Sequence, residues 1–245
     1  MSGRAWAAVA SLWLAVCSGA SPVPAKRVLL YAYNATPVAA TTPQQIVFLK
    51  NQLAAWGYEV EVSVDPSDIN AAKLATLSAV GFINVCFNPY GPGRTGEAQT
   101  AALDAFVEAG GGMFVTHCSS VAFQNARPPN PYADLIGGRS GRDNFDGESS
   151  CARTSEPHVS TAMLPASFSY SGNLDYADYL APDSRVLVRC KWSGAKKLDT
   201  AVSWYRTPGK GRVFYTNFAK VDADYSDATV GVAHIVPGLR WAVGH

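Results

Sequence analysis

The chain has 245 residues, 48% of them hydrophobic, and 20 basic side chains against 19 acidic ones leave a formal net charge of +1. That length supports one domain with a sizeable core. The balanced charge, without long like-charged runs, argues against a polyanionic partner such as nucleic acid.

Residues 1–25 read as a targeting segment. Arg4 supplies a positive start, and Trp6 to Val16 is an apolar stretch too short to span a bilayer as a stable helix. Ser18-Gly19-Ala20 and Val23-Pro24-Ala25 offer small-residue cleavage sites. Leu14-Ala15-Val16-Cys17 also resembles a bacterial lipoprotein signal, in which Cys17 would be lipidated, although valine before the cysteine is atypical. The expectation is a secreted or periplasmic protein with no membrane span, residues 26–245 forming a single domain. Four cysteines then remain in an oxidising compartment, Cys86, Cys118, Cys151 and Cys190, and disulfides in one of three pairings are expected. Asn34-Ala35-Thr36 is a formal glycosylation acceptor.

Val28 to Tyr33 is a continuous apolar run, the pattern of a strand buried on both faces. Thr42 is a good N-cap and Pro43 fits the first helical turn; Ile46, Leu49, Leu53 and Trp56 follow at helical spacing until Gly57. Tyr58 to Val64 alternates valine with polar residues, which suits an edge strand. Asp68 begins a short helix with Ile69, Leu74 and Leu77, and Ala79 to Val85 is a third buried strand ending at Cys86-Phe87-Asn88. Pro89 to Arg94 is a Pro/Gly loop. A helix opens at Thr95 or Gly96, carries Leu103, Phe106 and Val107 on one face, and stops at Gly110. Three glycines, Gly110 to Gly112, lead into a further apolar run, Met113-Phe114-Val115, with Thr116-His117-Cys118 at its far end. Strand–helix alternation of this kind predicts an α/β fold with a doubly wound, mostly parallel sheet. Ligands in such sheets sit outside the carboxyl ends of the strands.

Ala126 to Glu156 is polar, rich in Pro, Gly and Arg, and lacks periodicity, so it reads as a functional or poorly ordered stretch. Val186 to Trp192, Ala201 to Tyr205 and Arg212 to Asn217 read as strands, with Gly209-Lys210-Gly211 turning between the last two. Thr229 to Val243 reads as a closing helix that Pro237 kinks or interrupts.

A family pattern emerges from Gly57-Tyr58-Glu59-Val60, Phe82-Ile83-Asn84, and Gln99 to Gly112 running into Phe114-Val115-Thr116-His117. It continues through His158 with Leu164 to Phe168, Asp175-Tyr176, Gly211 to Thr216 and Gly238 to Ala242. This resembles the ThuA-like (trehalose-utilisation) family, whose fold is like that of class I glutamine amidotransferases. The resemblance implies a flavodoxin-like sheet and a link to sugar metabolism. By position, the family's histidine after the glycine run falls on His117, its histidine before the Leu-Pro segment on His158, and its acidic–aromatic element on Asp175 and Tyr176. Val115, Thr116, Cys118 and Val159 depart from the residues usual there.

The candidate chemistry gathers around His117, an imidazole at the end of a central strand that can face a crevice as a general base. His158 and Asp175, beyond the irregular stretch, are its candidate acid/base partners. Cys118 invites comparison with an amidotransferase nucleophile, but His117 and Ser119 flank it where an elbow wants glycines. Cys86 ends the strand expected beside it, so a Cys86–Cys118 bridge is also geometrically open. A zinc set drawn from His117, His158 and a carboxylate or Cys151 lacks any ligand spacing. Tyr33, Asn34, Asn88, Tyr90, Arg94 and Tyr176 are the candidate substrate-binding residues, because aromatic faces and amides suit sugar rings edged by hydroxyls. No cofactor is indicated, and the expected partner is a small molecule or glycan. Three functions stay open: an exported carbohydrate-active enzyme using His117 with His158 or Asp175, a non-catalytic sugar-binding or scaffold module, and a Cys118-dependent amidase-like enzyme.

Overall fold

The structure, a computed structural model, describes residues 26–33, 42–91, 95–123, 130–194 and 199–245. The targeting segment with Cys17, and the candidates Asn34 and Arg94, lie outside the described residues.

Among the described residues, nine strands form one mixed sheet in the order β2-β1-β3-β4-β9-β8-β7-β5-β6. The strands are β1 Arg27–Tyr31, β2 Glu59–Ser63, β3 Ala79–Phe82, β4 Gly112–Thr116, β5 Gly138–Arg153, β6 Ser167–Leu180, β7 Arg185–Trp192, β8 Asp199–Arg206 and β9 Arg212–Thr216. β2, β1, β3, β4 and β9 run parallel. The remaining pairings are antiparallel. The parallel half has the strand succession of a flavodoxin-like sheet. β2 is an edge strand, as its alternation predicts.

Alternation along each parallel strand builds two cores. Val28, Leu30, Phe114 and Phe214 face one, with Leu49 and Leu53 of helix α1 (Pro43–Ala55) and Leu239 and Ala242 of a later helix packed against them. Leu29, Tyr31, Met113, Val115 and Tyr215 face the other, beneath α2 (Ala71–Leu74), α3 (Glu97–Glu108) and α4 (Pro131–Ile136). α1 is capped as its sequence predicts, Thr42 accepting a hydrogen bond from the Gln45 amide.

The glycine run is a packing requirement as much as a helix stop. Gly110 adopts φ +120°, and a Cβ on Gly112 would lie 1.9 Å from the Ala242 carbonyl oxygen, so only a bare backbone lets the C-terminal helix approach β4.

The stretch 126–156 needs correction. Apart from residues 126–129, which are not described, it is ordered: α4 is followed by the 16-residue strand β5. β5 pairs along its length with β6, and Ser149 to Arg153 also pair with β7. Its pattern escapes detection because few of its side chains, Phe145, Ser149 and Cys151 among them, are buried, and the register shifts between Arg139 and Asn144. A largely solvated hairpin needs no apolar stripe. The predicted closing helix is divided: a short helix α5 (Asp222–Ser226) precedes a π-helical segment Ala228–Ile235, and α6 (Val236–Ala242) has Pro237 in its first turn. Proline there needs no amide partner. No helix among the described residues is long and apolar enough to cross a membrane.

Candidate functional site

β4 ends in a sharp turn. His117 takes up φ +43°, and residues His117–Val121 continue as a 3-10 turn. An imidazole on a left-handed backbone is held there by its surroundings. The His117 carbonyl accepts hydrogen bonds from Tyr215 Oη at 2.9 Å and Ser120 Oγ at 3.2 Å. The Val85 amide donates to Ser119 Oγ, which ties the end of β3 to the same turn. A Cys86–Cys118 disulfide closes the junction covalently.

His117 is 2% exposed, and its ring makes polar contacts through Nδ1. Its Nδ1 lies 3.0 Å from both the main-chain carbonyl oxygen and Oδ1 of Asn217, the residue following β9. Both oxygens can only accept, so Nδ1 carries the proton. In the neutral ring the acceptor lone pair is therefore on Nε2, which has no hydrogen-bond partner among the described residues. The orientation of Asn217 is itself fixed: Nδ2 donates to the Asp175 carbonyl at 2.7 Å, and Oδ1 accepts from the Asp175 amide at 3.3 Å.

Asp175, on β6, brings Oδ2 to 3.8 Å from His117 Nδ1. The carboxyl is buried and Oδ2 has no hydrogen-bond partner among the described residues. Burial raises its pKa above the ordinary carboxylate value, an effect that His117 and Lys220 oppose. The arrangement is a proton-accepting imidazole backed by a carboxylate whose charge is most stable when the ring is protonated.

A second polar layer supports this pair. Asn84, at φ +50°, exchanges hydrogen bonds with Thr116 and donates from Nδ2 to Gln45 Oε1 and the Ala219 carbonyl. Gln45 donates in turn to the Lys220 carbonyl. Asp224, buried on α5, accepts from Tyr170 Oη and the Val221 amide; burial raises its pKa, and these hydrogen bonds lower it. Asn217, Asn84, Thr116, Gln45 and Asp224 were not named as site candidates from the sequence. Asn84 and Asn217 could have been, since each is an amide just beyond a buried strand. Asp224 gives no such sign, because Asp222 to Ser226 reads as solvated helix.

Of the predicted catalytic residues, the structure brings His117 and Asp175 together, with Cys118 in the same turn as His117, and leaves His158 elsewhere. His158 caps a 3-10 turn, with Nδ1 accepting from the Ser160 amide. Its ring stacks on Tyr205 at 4.5 Å and meets Trp241 edge-on at 4.7 Å. Burial lowers its pKa to about 4, against the pull of Glu156. It shares none of these neighbours with His117, so the His117–His158 pairing is not formed.

Cys118 is bridged, which removes its thiolate as a nucleophile and with it the amidase-like mechanism. A second bridge, Cys151–Cys190, joins β5 to β7. Cys151 is therefore no zinc ligand, and no group of three or more His, Cys, Asp or Glu side chains that could hold a metal occurs among the described residues.

Tyr90 is a core residue rather than a ligand contact, fully buried with its hydroxyl 3.4 Å from Thr100 Oγ1. Asn88 is half-buried and spends Oδ1 on the Tyr90 amide, ordinary turn chemistry. Tyr33 is half-buried and stacks on Tyr31, and Tyr176 packs against the core beside Asp175. A cavity of about 740 Å³ between α3 and α4, lined by Glu97, Asp104, Tyr132 and Arg206 among others, shares no residue with the His117 cluster.

Comparison with known proteins gives a family model described as trehalose utilisation, ThuA, matching residues 27–242. Among solved structures, a protein described as ThuA-like from Bacteroides uniformis superposes with a TM-score of 0.66 at 18% identity, over 91% of this chain and 93% of that one. Another so described from Parabacteroides merdae gives 0.63 at 16% identity, over 91% of each chain. A β-galactosidase from Bacillus circulans sp. alkalophilus gives 0.57 at 14% identity, over 90% of this chain but 30% of that one. At these identities the likeness is one of fold. No curated protein matches.

Proposed function

The chain belongs to the ThuA (trehalose utilisation) family, and we propose that it acts on a carbohydrate or glycoside by acid/base chemistry at the carboxyl ends of its parallel strands. His117 is the proton-transferring residue and Asp175 its electrostatic partner. The observation that carries this reading is the Nδ1 tether to Asn217, 3.0 Å to each of two acceptors, which leaves Nε2 as the basic nitrogen. When Nε2 takes a proton from a hydroxyl, the imidazolium that forms lies 3.8 Å from Asp175 Oδ2 and is stabilised by its carboxylate. The two disulfides are compatible with an oxidising compartment, in keeping with export by a signal in residues 1–25. The wider family reading, a doubly wound amidotransferase-like scaffold, suits the parallel half of the sheet.

The test is turnover of a glycoside panel by the wild type and by His117→Gln. The variant should lose activity by about a hundredfold or more while its unfolding transition is retained. Unchanged turnover would remove His117 from the mechanism. A non-catalytic sugar-binding module is the second reading, favoured by the 2% exposure of the imidazole. Calorimetry that finds glycan binding with no product formed would select it.

A further inference from the structure

Every Phe, Tyr and Trp side chain among the described residues is buried or half-buried except one. Phe87 is 41% exposed, and it stands on a left-handed backbone with φ +62°. A phenyl ring in water on a disfavoured backbone is doubly unfavourable, and such a residue persists only where its neighbours impose it. Here the neighbours are those of the site. Cys86, one residue before Phe87, is bridged to Cys118, one residue after His117, with 5.0 Å between the two Cα atoms. The Phe87 carbonyl accepts from the Phe123 amide at 2.7 Å, which joins the loop after β3 to the turn that follows His117. Phe87 and His117 thus flank opposite ends of one covalent clamp.

We propose that Phe87 is a stacking platform for a pyranose ring presented to the His117 site. The proposal rests on the carbohydrate reading of that site and adds to it the residue that selects the ligand's shape. Among the described residues the apolar surroundings are too sparse for a helix or a bilayer. The exposed aliphatic side chains described just beyond parallel strands, Val64 after β2 and Val221 after β9, are each two strands from β3, or roughly 10 Å. One isolated ring beside a polar cluster suits a ligand with a single small apolar face and hydroxyls at its rim. A pyranose has that form, its axial C–H groups lying on an aromatic face while its hydroxyls reach hydrogen-bonding groups.

The experiment measures calorimetric affinity and turnover with trehalose, cellobiose and lactose, and with sorbitol, an open-chain polyol that carries the hydroxyls without a ring face. Wild type, Phe87→Ala, Phe87→Trp and His117→Gln are compared. The expected result is binding of at least one disaccharide in preference to sorbitol. That binding weakens about tenfold in Phe87→Ala and is kept in Phe87→Trp. Because the side chain is exposed, both Phe87 variants should unfold at the same denaturant concentration as the wild type. Undiminished affinity in Phe87→Ala overturns the platform, as does equal binding of sorbitol, or a wild type that binds none of the disaccharides. The His117 arm reads separately. Ring-selective, Phe87-dependent binding with no turnover leaves the platform standing and retires the base, whereas turnover lost in His117→Gln but unaltered in Phe87→Ala retires the platform alone.

Discussion

His117 donates one proton, from Nδ1, toward two oxygens of a single residue, the main-chain carbonyl and the side-chain amide oxygen of Asn217, each 3.0 Å away. The same amide bonds the backbone of Asp175 in both directions, so Asn217 sets the distance between imidazole and carboxylate. Asn217→Leu keeps the volume and removes these bonds. It leaves a buried donor and acceptor of Asp175 without that partner, and the expected cost is about 2–3 kcal/mol in urea denaturation. The imidazole also loses one of its two acceptors, so nitrogen NMR should show a larger share of the other tautomer. A variant with unaltered stability and an unaltered tautomer would show that Asn217 positions nothing.

Acid lability should come from a different histidine. His234 is fully buried, with Nδ1 2.8 Å from the Ser160 carbonyl and Nε2 3.0 Å from Ser203 Oγ. Burial lowers its pKa to about 4, with the Ser160 bond opposing. The unfolded chain holds this proton from about pH 6.5 downward. Its contribution is therefore fully present above that value and is lost as the pH falls through about 4. For so buried a ring the loss approaches roughly 3 kcal/mol. The raised carboxyls of Asp175 and Asp224 act in the opposite sense, gaining stability on protonation. The comparison must accordingly be wild type against His234→Gln, measured by urea denaturation between neutral pH and pH 4. The variant should start less stable and show the shallower decline; parallel curves would clear His234.

The clamp at the site has its own energetic signature. Cys86 and Cys118 are separated by 32 residues, and opening a loop of that length should cost about 3–4 kcal/mol through chain entropy. The double variant Cys86→Ser/Cys118→Ser should show this in denaturant, and the wild type, unfolded without reductant, should yield no reactive thiol from Cys86, Cys118, Cys151 or Cys190. Two reactive thiols per chain from Cys86 and Cys118 would refute the bridge and reopen the question of Cys118 as a nucleophile.

The parallel half of the fold was legible because its signals are local. Apolar runs, helix caps and the glycines before β4 fall where periodicity and turn chemistry put them, and the strand ends then locate His117. In the antiparallel extension β7 and β8 were legible as apolar strands, whereas β5 and β6 were not, since they are held by each other and by β7 rather than by an apolar stripe of their own. The site divides in the same way. Asp175 lies 58 positions from His117 along the sequence, and only the fold of the β5–β6 hairpin brings its carboxyl to 3.8 Å. His158 misled because a histidine beyond an unpatterned stretch resembles a returning partner, while its ring is consumed in packing against Tyr205 and Trp241. Phe87 escaped notice because its exposure is a tertiary property, at odds with its chemistry.

Asp175 offers the sharpest separation of function from stability. Its Oδ2 is buried without a hydrogen-bond partner among the described residues, and burial raises the carboxyl's pKa despite the nearby His117 and Lys220. A folded-state pKa above the unfolded one means that the ionised side chain opposes folding. The penalty is absent below the unfolded pKa, near 3.9, and grows as the pH rises through the folded value. Asp175→Asn removes the charge while keeping the shape. It should therefore be more stable than the wild type at neutral pH, by about 1 kcal/mol, and the two should converge in acid. Turnover should move the other way, since the imidazolium formed on His117 then lacks its counter-charge. Denaturation and activity measured on the same preparations decide the matter. A variant that loses stability at pH 7 would mean that the carboxylate holds the fold together, whereas one that gains stability and loses turnover would mean that this buried charge is retained for the reaction.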